Sequence, residues 1–200
     1  MFEQLRPLTA LLRWRAYEMR RYIFCENNFG CFDYLLPHKI FYFLGPLTIF
    51  FSIDYNPWSY LLPHQDASFL YTDPVNIIGF WIALDDATLE NGCLWFARGS
   101  HKSGVHRKFV RNPDPTAQPL LMYTGPSPHY QKSSFTAVPV SKGSCILIHG
   151  QVVHSSESNK SEKQRNVYTF HVIEQKNTKY SSKNWLQAKD GYFMNVYRNI

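Results

Sequence analysis

A His-Gln-Asp motif at residues 64–66 is the first group of side chains in this chain that could do chemistry. His64 and Asp66 are two residues apart, so on a strand, or in the turn after one, their side chains project to the same side and can bind one ion. Two imidazoles and one carboxylate cover one face of an octahedral iron(II) and leave three positions open, which is the ligand set of non-haem oxygenases. The motif predicts two of three metal ligands, although a surface turn would also explain an isolated pair.

The third ligand must come from a distant segment, and His154 is the first candidate. It follows an apolar stretch, residues 145–153, that is typical of a buried strand. His149 lies on the same stretch and could serve by composition alone, but the eleven-residue spacing from His154 to Arg165 favours His154. The guanidinium of Arg165 can hold a carboxylate through two parallel hydrogen bonds. A metal triad with such a clamp predicts a keto-acid cosubstrate.

Other polar residues near these motifs have simpler interpretations. His171 alternates with Arg165 along the next apolar run, so it faces the same interior, and we interpret it as a packed strand histidine. Three histidines lie in or beside loops and are expected to be solvated: His101, His106 and His129. Three cations could meet phosphates on a substrate, but a solvated basic face explains them equally well: Arg107, Lys108 and Arg111.

The composition is compatible with one domain but does not select a function. Two hundred residues, 44% of them hydrophobic, suffice for a single core, and the 16% aromatic content suits a β-rich fold. The net charge is +6, yet the basic residues are scattered outside the amino terminus, so no nucleic-acid partner is expected. The four cysteines form no CxxC pair. We therefore expect a reduced, intracellular and cytoplasmic chain.

The elements that must position these residues are short strands. Four runs rich in branched and aromatic side chains predict strands: 77–84, 93–96, 145–153 and 167–173. Between them, residues 107–141 carry six prolines and predict one long loop. Repeated strands without the spacing of βαβ units predict an antiparallel jelly roll.

Several ordered segments resemble the phytanoyl-CoA hydroxylase family of dioxygenases. They are residues 63–72, 81–95, 99–101 and 184–187, together with the spaced set His154, Ser156, Asn159, Ser161 and Arg165. The resemblance implies a mainly β, cupin-like double-stranded β-helix with a few flanking helices. It implies iron(II), 2-oxoglutarate and O2 as cofactors, with ascorbate as a candidate reductant. The expected activity couples conversion of 2-oxoglutarate to succinate with hydroxylation of a small, lipid-like or acyl substrate.

The resemblance also implies roles for individual residues. His64, Asp66 and His154 become the metal ligands, and Arg165 meets the far carboxylate of 2-oxoglutarate. Trp81 matches a family position beside the cosubstrate, although a core aromatic in a strand accounts for it equally well.

The amino-terminal segment, residues 1–62, does not resemble the region that precedes this motif in the family. Residues 1–24 predict a basic, partly amphipathic helix that is either solvated or in contact with a membrane surface. The apolar run 40–53 is shorter than the ~20 residues that cross a bilayer and predicts one or two strands broken at Gly45–Pro46. If it does not pair, the sheet carrying His64 keeps an open edge that favours aggregation. We thus divide the chain into this segment, a core at 63–187 and a tail at 188–200.

Three classes of function remain open. The first is the dioxygenase, and the second is a catalytically silent relative that binds metal or a partner through an incomplete barrel. The third is a role at a membrane surface through the basic amino-terminal helix, although we do not expect membrane contact. The sequence does not indicate an oligomeric state.

Overall fold

The computed structural model describes residues 41–43, 49–53, 60–174, 177–188 and 193–195, with side chains described for 60–174, 177–188 and 193. The predicted helix at 1–24 lies outside these residues. Their strands are, in chain order, β1 (Phe41–Phe43), β2 (Ile49–Ile53), β3 (Leu61–His64), β4 (Thr72–Asp73), β5 (Ile77–Ala83), β6 (Leu94–Ala97), β7 (Phe109–Arg111), β8 (Leu121–Tyr123), β9 (Phe135–Val138), β10 (Cys145–His149), β11 (His154–Ser156), β12 (Arg165–Glu174), β13 (Lys179–Tyr180) and β14 (Met194–Asn195).

The larger sheet is built around β5 and β12. Its strand order is β10-β5-β12-β1-β14. Strands β1 and β2 share one edge of β12: β2 pairs with the first half of β12, and β1 pairs with its end. Strand β12 is buried at most of its positions, whereas β5 alternates between buried and half-buried positions. This period of two places Trp81 on one face, while Phe80 stacks on Phe170 of β12 on the other, with ring centroids 4.7 Å apart.

The smaller sheet has the order β3-β11-β6-β9 and packs against the first. The main core combines buried residues of β5, β10 and β12 with Leu94 of β6 and with Ala137 and Val138 of β9. All the strand pairs are antiparallel. The predicted mainly β jelly roll is confirmed. Where helices were expected beside it, the described residues contain three short 3-10 turns.

The apolar stretch 145–153 is a strand followed by a turn, so the prediction of one strand over the whole stretch is wrong. Strand β10 ends at His149, and His154 begins β11 in the other sheet. The chain turns between them, where the amide of Val152 donates to the carbonyl of His149 at 2.9 Å and that of Gly150 donates to Ile77 at 2.9 Å. An apolar run does not show where the chain passes from one sheet to the other.

The segment 107–141, predicted as one loop, contains three short strands. Strands β7 and β8 form a hairpin, and β9 is the edge strand of the smaller sheet. The prolines do not interrupt the strands, because all six lie between or after them: Pro113, Pro115, Pro119, Pro126, Pro128 and Pro139.

The run 40–53 contributes two strands to the larger sheet. Residues 41–43 pair with the end of β12, and residues 49–53 pair with its beginning, so that Ile53 lies opposite Arg165. The run therefore covers this part of β12. The expectation that it would cover the sheet carrying His64 is wrong, because β3 belongs to the smaller sheet and stands at one end of its strand order. None of the helices in the described residues has the length and apolar character needed to cross a bilayer.

Candidate metal centre

Three predicted ligands meet where the smaller sheet ends. His64 is the last residue of β3 and lies opposite His154, the first residue of β11. Asp66 follows in a 3-10 turn whose other buried residues are Ala67 and Ser68. One ligand atom from each of His64, Asp66 and His154 lies within 4.8 Å of the others, and the two imidazole centroids are 4.3 Å apart. Strand register therefore brings together residues 90 positions apart in the sequence.

Both imidazoles present the same nitrogen to the centre. The Nδ1 atom of His64 lies 2.8 Å from the carbonyl oxygen of Leu62, and the Nδ1 atom of His154 lies 3.2 Å from that of Val152. A carbonyl only accepts, so each Nδ1 carries the proton and each Nε2 keeps its lone pair. Backbone acceptors of this kind commonly fix the tautomer of metal-binding histidines.

Burial sets the charge states of the ligands. Burial, and then the charge of His64, lower the pKa of His154 to about 4, so the imidazole is in the neutral form that binds metal. Burial alone would raise the pKa of Asp66. His171, followed by the two histidines of the set, more than offsets this and holds the pKa well below its usual value. Two imidazoles and a carboxylate suit a divalent cation of the iron group.

Arg165 is a buried cation with unsatisfied donors. Its relative exposure is 2%, and its Nε and Nη1 atoms have no hydrogen-bond partner among the described residues. Burial lowers its pKa to about 10, partly opposed by Cys93, so the guanidinium is still charged at neutral pH. Buried N–H groups are normally paired. The free donors therefore fit an anionic group, and together with the ligand set they fit iron and a keto acid.

Trp81 and Gly92 form part of the surroundings of Arg165. The guanidinium carbon lies 5.4 Å from the centroid of the Trp81 ring, within the range of a cation–π contact, while Trp81 also belongs to the main core. Gly92 has φ +90°, and a Cβ there would lie 2.5 Å from the carbonyl oxygen of Glu157. The structure thus places Trp81 in the core beside Arg165, and its contact with a cosubstrate remains a prediction.

The remaining histidines separate into different environments. His149 lies 5.6 Å, centroid to centroid, from His101, in a pair apart from the three ligands. His106 contacts the hydroxyls of Ser103 and Tyr130, each at 2.7 Å, which the expectation of a solvated side chain missed. His171 was expected to be a packed strand residue, but its Nε2 lies 3.1 Å from Oδ2 of Asp66. Its alternation with Arg165 was the signal for that position.

Gln65, between the two ligands of the motif, was not predicted to have a role. It is 1% exposed, and its amide nitrogen donates to the carbonyls of Gly104, at 2.8 Å, and Gln151, at 2.6 Å. Its oxygen accepts from the backbone of His106 at 2.9 Å. The buried amide between the two ligands thus connects the segments around them through hydrogen bonds. In the sequence, the polar residue between His64 and Asp66 was the feature that could have indicated this role.

A small cleft that is open to solvent lies beside His64. Its wall contains three aromatic rings, Phe69, Tyr123 and Tyr130, and one arginine, Arg107. The guanidinium of Arg107 lies 3.7 Å from the centroid of Tyr123, and Tyr130 hydrogen-bonds His106. Of the three cations considered from the sequence, Arg107 is the one that lines this cleft.

The sequence is similar to that of a known family over most of its length. Residues 34–167 match the model of the phytanoyl-CoA dioxygenase (PhyH) family, a range that includes β1 and β2. Phytanoyl-CoA dioxygenase domain-containing protein 1 homolog of Caenorhabditis elegans is 51% identical over 140 residues, which cover 68% of this chain and 49% of that protein. The Danio rerio protein of that name is 51% identical over 64% of this chain and 44% of its own length. The chain thus spans about half the length of these relatives.

Solved structures show the same fold. The non-heme monooxygenase ThoJ has a TM-score of 0.58 at 22% identity, with 81% of this chain and 55% of ThoJ covered. The non-heme alpha-ketoglutarate-dependent epimerase SnoN has a TM-score of 0.56 at 17% identity, with 81% of this chain and 65% of SnoN covered. At such identities the likeness concerns the fold alone.

Proposed function

Because this chain belongs to the phytanoyl-CoA dioxygenase family, we propose that it is an iron(II)- and 2-oxoglutarate-dependent dioxygenase acting on a small molecule. The observation that carries the proposal is the combination of a converging ligand set, His64, Asp66 and His154, with a buried arginine whose donors are unsatisfied. Neither feature is sufficient by itself. A metal triad and an anion-binding cation inside one jelly roll match the two parts of a keto-acid cosubstrate.

In this proposal the protein supplies position and charge. His64 and His154 present their Nε2 lone pairs, because backbone carbonyls hold their Nδ1 protons, and Asp66 adds one negative charge. Arg165 binds the distal carboxylate of 2-oxoglutarate through the donors that the protein leaves free. When bound, iron(II) would bring 2-oxoglutarate and dioxygen together: oxidation of 2-oxoglutarate to succinate and carbon dioxide would supply two electrons and the substrate C–H bond the other two, with one oxygen atom of dioxygen entering succinate and the other the substrate.

The cleft beside His64 supports a substrate with an apolar portion. Its three aromatic rings offer a surface for hydrocarbon, while Arg107 is placed to meet a polar or anionic group. A lipid-like or acyl compound fits this description, as the family name also suggests. Function resides in the site and not the fold, so the substrate has to be found by experiment.

Succinate formation tests the proposal directly. The purified full-length chain, loaded anaerobically with iron(II) and then given ascorbate, 2-oxoglutarate and air, should form succinate at a rate that depends on iron. His154→Ala should abolish this turnover, whereas His149→Ala should retain it, since His149 lies apart from the ligand set. Incubation with metabolite extracts should then reveal a compound that gains one oxygen atom.

The two other classes predict different results. A catalytically silent relative would bind cobalt(II) through the same ligands but form no succinate under any condition. A membrane-surface protein would sediment with anionic liposomes whether or not metal is present. Iron-dependent succinate without liposome binding is the result that we expect.

A further inference from the structure

The two oxygen atoms of the Asp66 carboxylate face different partners. Oδ1 lies 3.7 Å from Nε2 of His64 and 3.6 Å from Nε2 of His154, so it is the oxygen directed at the metal position. Oδ2 lies 3.1 Å from Nε2 of His171, within ion-pair distance, although it makes no hydrogen bond of regular geometry among the described residues. A carboxylate oxygen only accepts, so a hydrogen bond between the two atoms uses an Nε2 that carries the proton, with the ring turned toward Oδ2.

The larger sheet creates the space for this contact. His171 on β12 lies opposite Gly79 on β5, a strand whose other members are bulky except for Ala83 at its end. A Cβ at position 79 would lie 2.9 Å from Oδ2 of Asp66 and 3.3 Å from Nε2 of His171. The missing side chain therefore allows the carboxylate and the imidazole to meet.

We propose that His171 is a positioning residue that holds Oδ2 and so keeps Asp66 a one-oxygen ligand. The inference rests on the proposed function, because it concerns the same metal. Carboxylates bind cations through one oxygen or through both. If Asp66 used both, it would occupy a coordination position that the keto acid or dioxygen needs, and a three-residue facial set would no longer leave three positions open.

His171 is a partner of the ligand and not a ligand itself. The group whose donor atoms all lie within 4.8 Å of one another consists of His64, Asp66 and His154. His171 instead approaches the set from the opposite sheet, on the side of the carboxylate that faces Gly79. Outer partners of metal ligands commonly change metal affinity by about 10- to 100-fold when removed.

Two substitutions at position 171 separate donation from packing. His171→Gln retains an N–H group, whereas His171→Leu removes it at similar size. Anaerobic titration with cobalt(II) alone should give near-normal affinity for His171→Gln and an affinity lower by about 10- to 100-fold for His171→Leu. His149→Leu is the matched control, since it removes a half-buried histidine of the same sheet that lies outside the ligand set.

A second measurement reports the coordination number. The visible absorption bands of cobalt(II) change in intensity with the number of ligands, so adding 2-oxoglutarate to the cobalt-loaded chain should change the spectrum of the wild type and of His171→Gln. In His171→Leu this change should require more 2-oxoglutarate, because a two-oxygen Asp66 competes for the position. Gly79→Ala should shift both measurements in the same direction, with circular dichroism verifying that the fold is retained.

The outcomes distinguish this inference from the proposed function. A wild-type chain that binds no cobalt(II) would overturn the metal centre and both proposals with it. Normal cobalt(II) binding without any response to 2-oxoglutarate would overturn the dioxygenase, while a weakened His171→Leu would still support the contact with Asp66. A folded His171→Leu with unchanged affinities, or a His171→Gln as weak as His171→Leu, would overturn the role of His171.

Discussion

Arg165 is a buried cation with two unsatisfied N–H groups. Such groups lower the stability of the unliganded protein but strengthen the binding of an anionic cosubstrate. Desolvating a charge costs free energy that only a partner recovers. We predict that Arg165→Met weakens 2-oxoglutarate binding by about 10- to 100-fold, the loss of a charge-assisted pair worth about 1.5 to 3 kcal/mol. The free energy of unfolding of the metal-free protein should be unchanged or higher.

Calorimetric titration and urea unfolding test the two halves of this prediction. Arg165→Lys is the control for charge, since it keeps the cation but loses the forked geometry, and it should fall between the two proteins in affinity. Unchanged 2-oxoglutarate affinity in Arg165→Met would remove Arg165 from the site. A large loss of stability would show that the protein itself satisfies the guanidinium.

The ligand set gives a second prediction at this scale. His154→Ala should lower cobalt(II) affinity by more than about 100-fold, beyond the loss that follows removal of an outer partner, because one of three donors is gone. His149→Ala should bind as the wild type does. The reverse pattern in an anaerobic titration would move the third ligand to His149.

Sequence reasoning was strongest for side chains that have little choice of role. The spacing of His64 and Asp66, and of His154 and Arg165, predicted the candidate site residues. In the structure, the ligand atoms of His64, Asp66 and His154 lie close together. Arg165 has buried N–H groups without a hydrogen-bond partner among the described residues. It undervalued His171, because alternation shows which face a strand residue occupies but not what it meets across the core. Gly79 carries no side-chain signal at all.

At the scale of single elements, apolar pattern predicted strands better than it predicted breaks. Strands β5 and β12 were expected within a few residues of their bounds, because both are runs rich in branched and aromatic side chains. The turn that follows His149 was missed because the residues on either side are equally apolar. The short strands β7, β8 and β9 were missed because prolines adjoin them. Their pairing depends on partners distant in sequence.

Two glycines with similar backbones allow steric contact to be separated from strain. Gly92 and Gly143 have φ +90° and +84°, but only Gly92 has a neighbour that a Cβ would strike, the carbonyl of Glu157 at 2.5 Å. Gly143→Ala should cost about 1 kcal/mol or somewhat more, from the backbone alone. Gly92→Ala should cost more than this in urea unfolding, and equal losses would contradict the close approach.

At the scale of the whole molecule, the pairing of β2 with β12 bears on whether the barrel is complete. From the sequence this was open, because no resemblance to the family was found in residues 1–62, whereas the family match begins at residue 34. Backbone pairing needs compatible geometry more than a shared sequence. The register places Ile53 opposite Arg165, so this edge strand adjoins the proposed cosubstrate site.

Hydrogen exchange tests that pairing in the intact chain. Peptides covering 49–53 should exchange more slowly than those covering 112–119, a connection between β7 and β8 that consists of turns and exposed or half-exposed residues. Equally rapid exchange would mean that β12 has a free edge in solution. The aggregation expected of an open sheet should then appear on concentration.

Gln65 ties the two ligands of the motif to movements elsewhere in the chain. Because one buried amide holds Gly104, His106 and Gln151 together, the segment at 104–106 and the turn at 151 cannot swing open independently. In kinetic terms they share a single opening rate. An ion that stiffens His64 and Asp66 should slow this opening in two segments that contain none of the three ligands. Exchange of the His106 amide with and without cobalt(II) measures that effect.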